Sequence, residues 1–67
     1  MAIVKVIEVI ASSKKSWDHA AQKAVTEASK SVKNIKHFYV ESMTAVVDEN
    51  EIKEFRINGK ISFVVGD

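Results

Sequence analysis

His37, Glu41, Arg56 and Lys60 are the residues whose types could do chemistry in this chain. His37 and Glu41 stand four residues apart, so on a strand they would share a face, and an imidazole near a carboxylate can act as a general base. Arg56 offers a planar fork of donors suited to phosphate or carboxylate, and Lys60 a second positive charge beyond Asn58. Nothing identifies a substrate or nucleophile for them. The chain has no cysteine, no glycine-rich phosphate loop and no His-x-x-x-His pair, and Ser12, Ser13 and Ser16 are accounted for by helix capping. We expect no enzyme. Asp48-Glu49-Asn50-Glu51 is the densest run of oxygen-bearing side chains. Calcium takes about six to eight oxygens, and four adjacent turn residues do not normally converge on one ion. A solvated turn is the expectation, and any metal-ligating residues stay unknown.

The elements that must position these residues fit in a single domain, residues 1–67. Ten Lys and Arg against nine Asp and Glu leave a net charge of +1, too little field to draw nucleic acid or an anionic membrane surface. Neither partner is expected. The apolar stretch Ile3 to Ala11 is interrupted by Lys5 and Glu8, too short and too charged for a secretory signal or a membrane span. That pattern suits a soluble, cytoplasmic protein.

Ile3 to Ile10 is a β-branched run with charges at two positions, which predicts a strand buried on much of both faces. From Trp17 the period changes. Trp17, Ala20, Ala21, Ala24, Val25, Ala28, Val32 and Ile35 recur at spacings of three and four, predicting an amphipathic helix of about five turns. Trp17 opens its apolar stripe and is read as a packing residue. His19, on the helix among Asp18 and Gln22, is read as solvated. Lys30 and Lys33 suit the helix C-terminus, and Asn34 can adopt the left-handed conformation that ends it.

His37 to Val47 reads as a second strand and Ile52 to Val65 as a third, joined by the acidic turn. On the third, Phe55, Ile57, Gly59, Ile61, Phe63 and Val65 take one face, and Glu54, Arg56, Asn58, Lys60 and Ser62 the other. The open face of the second strand would carry His37, Tyr39, Glu41 and Met43. The fold class is α+β, in the order β-α-β-β.

Strands of about 12 to 14 residues span roughly 40 to 48 Å, whereas a helix of about 18 residues rises only about 27 Å. One helix cannot cover such a hairpin. The uncovered face must meet water, a ligand or another copy, and a free edge on the third strand would let copies continue the sheet. A closed homo-oligomer satisfies both demands.

Taken together, Lys5-Val-Ile-Glu-Val-Ile-Ala-Ser-Ser13, Ser16-Trp17 with the alanine stripe, Ile35-Lys-His-Phe-Tyr-Val40 and Phe55-Arg-Ile-Asn-Gly-Lys-Ile-Ser-Phe63 resemble the dodecins over essentially the whole chain. The resemblance implies a three-stranded antiparallel sheet partly wrapped around one helix. It also implies a homododecamer, assembled from trimers into a hollow sphere, that binds or stores a small ligand, a flavin such as riboflavin or FMN and, in some bacterial members, coenzyme A. In flavin-binding dodecins a tryptophan near the start of the second strand stacks on the ring system, and a glutamine on the third holds its pyrimidine edge. The matching positions here are His37, followed by Phe38, and Arg56. Imidazole offers less stacking area than indole, and guanidinium donates but cannot accept. His37, Phe38 and Arg56 are therefore the expected ligand-binding residues of an altered pocket. His37 also suits an ordinary exposed or interface histidine, and Arg56 and Lys60 also suit ion pairs with Glu41 or Glu54. The missing tryptophan, the Ser-Trp pair and Arg56 look similar to the calcium-dodecin branch, which makes calcium the alternative guest.

Overall fold

A computed structural model describes residues 3–66; residues 1, 2 and 67 of the expected domain lie outside it. The order is β1 (Ile3–Ser13), α1 (Trp17–Ala28), β2 (Ile35–Asp48) and β3 (Glu51–Val65). The strands form one antiparallel sheet in the spatial order β1-β3-β2. β3 is thus central, and the free edges belong to β1 and β2. The expectation of a free edge on the third strand is corrected: β1 and β2 pair along its two flanks.

The apolar positions of β3 face α1 as the period-two pattern demands. Ile57, Ile61 and Phe63 are buried there, together with Ala20 and Ala24 of the helix. Alanine at those two helix positions removes bulk and lets the helix lie close to the sheet. Gly59 sits in the same row and is also buried. Phe38, opposite Ile61 on β2, lays its ring across it.

The helix is shorter than its stripe. It ends at Ala28 and has twelve residues, against the five turns expected. Ser29 Oγ donates to the Thr26 carbonyl oxygen, and Lys30 N and Ser31 N reach carbonyls only three residues back, which tightens and closes the last turn. Val32 and Ile35 kept the apolar spacing because they also pack, but outside the helix. Lys30 pairs with Glu27 at 2.9 Å and Lys33 follows in the connection, so neither lies within the helix's last turn. Asn34 does adopt the left-handed conformation, φ 62°, six residues beyond the helix, where its backbone carbonyl accepts from Val64 N.

At the front of the helix Ser16 is the cap, its Oγ accepting from His19 N at 3.0 Å. Ser16→Ala is expected to lower stability by about 1 kcal/mol, read as a shift in the urea midpoint with unchanged slope. The hairpin turns on Glu49 and Asn50, both with positive φ, 51° and 66°. That conformation favours asparagine followed by glycine. Glu49→Asn combined with Asn50→Gly is expected to stabilise by about 1 kcal/mol, measured in the same denaturation experiment.

The chain extends 52 Å along its longest axis, close to the length of β3 itself. Twelve helical residues cover only about 18 Å of that. One whole sheet face and the hairpin end, including Val47 and Ile52, are left without cover, and β1, expected to be buried on much of both faces, is exposed along most of its length because it is an edge strand that the short helix barely reaches.

Candidate functional site

The open face is built in rows, because residues directly opposite in an antiparallel pair point to the same side. From one end to the other, Val4 and Val64 form an apolar row, then Val6, Ser62 and His37, then Glu8, Lys60 and Tyr39. Ile10, Asn58 and Ser42 follow, and then Ser12, Arg56 and Thr44. β2 reaches this arrangement only through a break in register between Val40 and Ser42. The extra residue, Glu41, shifts the phase of everything after it. Met43 therefore lies opposite Ile57, on the helix side, and its expected place on the open face is corrected.

The expected site residues are not assembled within one chain. His37 is exposed and opposite Ser62, while Arg56 is six residues further along β3, about 20 Å away at strand spacing. Phe38 stands on the opposite face, over Gly59, with ring atom Cε1 2.8 Å from where a Cβ on that glycine would lie. It serves as a lid on the glycine.

The ion pairs foreseen for the two cations are present but loose. Lys60 Nζ lies 3.7 Å from Glu41 Oε2, and Arg56 Nε 3.8 Å from Glu54 Oε1, a carboxylate of its own strand. Both exceed hydrogen-bond length and all four side chains are substantially exposed, so each pair contributes little. Asn58 accepts from Ser42 Oγ at 3.1 Å between them. No hydrogen bond joins His37 to Glu41 among the described residues, so the general-base arrangement is not formed. Nor do the described residues contain a group of three or more His, Asp or Glu side chains placed to hold a metal ion. The acidic turn is a tight two-residue hairpin connection, and its carboxylates do not converge.

Trp17 is engaged in packing. Its ring meets Phe55 edge-on, centroids 4.9 Å apart, and Nε1 donates to the Thr44 carbonyl oxygen at 3.2 Å. His19 is exposed, as expected of a solvated residue, and its Nδ1 also lies 2.6 Å from Oγ of the buried Ser13, which accepts from Lys15 N. A serine six residues before a histidine carries no periodic signal, so only the fold reveals that clasp between strand end and helix start.

Two depressions were also not readable in the sequence. An open groove of about 510 Å³ runs between β1 and α1, lined by Ile7, Val9, Ala24, Ala28 and Val32. A smaller, polar cleft of about 270 Å³ lies where β1 ends, lined by Ser12, Ser13, Lys14, Lys23 and Glu54. No helix among the described residues is long and apolar enough to cross a membrane.

Comparison with known proteins fits this geometry. The family model for dodecins matches residues 3–66. A mutant of the T. thermophilus dodecin has the same fold, with a TM-score of 0.92 at 21% identity over 100% of both chains. The dodecin of Streptomyces coelicolor gives 0.91 at 23% identity, covering 98% of this chain and 94% of that one. A calcium dodecin of Mycobacterium tuberculosis, a calcium-chelating immunodominant antigen with a novel calcium-binding site, is 36% identical over 91% of this chain and 87% of its own, with a TM-score of 0.81. No curated protein matches the sequence. The matched span, the shared β-α-β-β order and the identity to the mycobacterial protein together establish that this chain belongs to the dodecin family.

Proposed function

We propose that this chain is a non-enzymatic homododecamer, built from trimers, that binds or stores a small ligand in crevices formed between copies. The observation that carries this reading is the separation of His37 from Arg56 by about 20 Å on one continuous open face. A pocket using both needs them from different copies. The shortage of core points the same way. Among the described residues five apolar side chains are buried, whereas eleven large hydrophobic ones are exposed, Ile10 to 75% and Tyr39 to 67%. A subunit of this size is marginal by itself and gains its remaining burial by association.

The family's expected guest is a flavin, riboflavin or FMN, with His37 at the stacking position and Arg56 at the ring edge. Both weaken that fit, and Phe38 supports the strand from the far face. The second reading, calcium, is favoured by the 36% identity to a calcium-chelating relative. The described residues of one chain do not supply a cation cage, so carboxylates repeated around a symmetry axis would have to provide it.

Light scattering tests the assembly. A mass of about 90 kDa, twelve times the 7.5 kDa chain, is expected; a stable species of one chain refutes the reading. Titrated riboflavin or FMN should lose fluorescence on stacking, weakly for the natural chain and strongly after His37→Trp with Arg56→Gln. A double variant of unchanged mass that does not quench would remove the flavin pocket. For calcium, a melting temperature that rises with the ion and falls with chelator is expected, and indifference to both rejects it.

A further inference from the structure

We propose that Asn58 and Gly59 form a deamidation site guarded by the fold, one that turns time spent unpaired into permanent retirement of the subunit. Asparagine is thermolabile because the next backbone nitrogen can attack its side-chain carbonyl carbon. A side chain on that next residue hinders the attack. Of the three asparagines, Asn34 precedes Ile35, Asn50 precedes Glu51, and Asn58 alone precedes a glycine. The packing forbids a safer residue there, since a Cβ on Gly59 would collide with the Tyr39 carbonyl oxygen and press on the Phe38 ring. The chain therefore carries its most labile dipeptide in its central strand.

In the folded chain that dipeptide is locked. Ser42 Oγ donates to Asn58 Oδ1 at 3.1 Å, which ties the carboxamide across to β2. Asn58 lies opposite Ile10 and Ser42, and Gly59 opposite Val9 and Val40, so both residues are held on both flanks. Ring closure needs the Asn58 backbone to leave the extended conformation and the Gly59 amide to leave the ladder. When β3 unpairs, the Gly59 nitrogen bonds to Asn58 Cγ, the Cγ–Nδ2 bond breaks, and ammonia departs with the amide proton. Water then opens the succinimide at either carbonyl, giving aspartate or isoaspartate. Aspartate puts a negative charge between Arg56 and Lys60 on the open face. Isoaspartate adds a carbon to the backbone of β3, which throws the buried Ile61 and Phe63 out of phase with the helix. A chain so altered cannot rebuild its core. The inference concerns a single chain and does not depend on how copies assemble or on which guest they hold.

Full-length protein aged in mildly alkaline buffer, with and without unfolding guanidinium chloride, tests it through peptide mass mapping that separates aspartate from isoaspartate. Without denaturant the reaction at Asn58 should be at least about a hundredfold slower than with it, because only the small open population reacts. Ile61→Ala should speed the denaturant-free reaction at least about tenfold, whether that variant opens more often or never folds. In denaturant Asn58 should outrun Asn34 and Asn50. Chains carrying isoaspartate at position 58, separated from the aged sample, should fail to regain the circular dichroism of the natural protein when denaturant is removed. Equal rates with and without denaturant would overturn the guard, and Asn34 or Asn50 outrunning Asn58 in denaturant would overturn the site. Refolding of the isoaspartate chain would overturn its retirement.

Discussion

Gly59→Ala is expected to destabilise the protein by about 3 kcal/mol, at the upper end of the range for overpacked sites. The added methyl would collide with the Tyr39 carbonyl oxygen and would stand 2.8 Å from Phe38 Cε1. A ring can turn aside, but a carbonyl in the ladder between β2 and β3 cannot move without breaking the pairing on either side. Relieving the ring by Phe38→Leu in the same chain should therefore recover only part of the loss. Urea denaturation of the two variants checks this. A Gly59→Ala midpoint near that of the natural chain would mean that β2 does not approach β3 so closely.

Ile61→Ala should cost about 3 kcal/mol, the usual loss for truncating a fully buried aliphatic side chain, and Ile61→Val about 1 kcal/mol. Ile61 has 0% exposure and is, among the described residues, the largest side chain so completely enclosed. A single core in a chain of this size supplies only about 3 to 5 kcal/mol, so the alanine variant has almost nothing left unless copies support one another. Its melting temperature should then depend steeply on protein concentration, because dissociation exposes a subunit that cannot stand alone. A concentration-independent melt close to that of the natural chain would place the stabilising core elsewhere.

These two residues lie on the segment that was most legible in the sequence. The alternation from Phe55 to Val65 gave β3, its buried face and the side on which Arg56 and Lys60 point, since period two has one structural solution. The acidic run gave the hairpin connection. The helix was legible in existence and face but not in length, because Val32 and Ile35 continue a spacing that tertiary packing shares with helices. The central place of β3 was not legible, as local pattern does not encode which strands are neighbours. The Glu41 irregularity left no mark either, and it alone moves Met43 across the sheet. For the site, the types of His37 and Arg56 were readable, while their separation needed the register. The cleft with Lys14, Lys23 and Glu54 was invisible because the fold brings Glu54 of β3 to residues far from it in sequence.

The spatial order β1-β3-β2 also governs the sequence of events as the polypeptide leaves the ribosome. Among the described strands β1 emerges before the others, yet its sole partner is β3, which follows both α1 and β2 in the sequence. Until residues 51–65 have been synthesised, the run from Ile3 to Ile10 waits unpaired while the local hairpin has yet to form. The sheet cannot close until β3 has emerged, and this interval is when the nascent protein is most open to capture by a chaperone or by its own siblings.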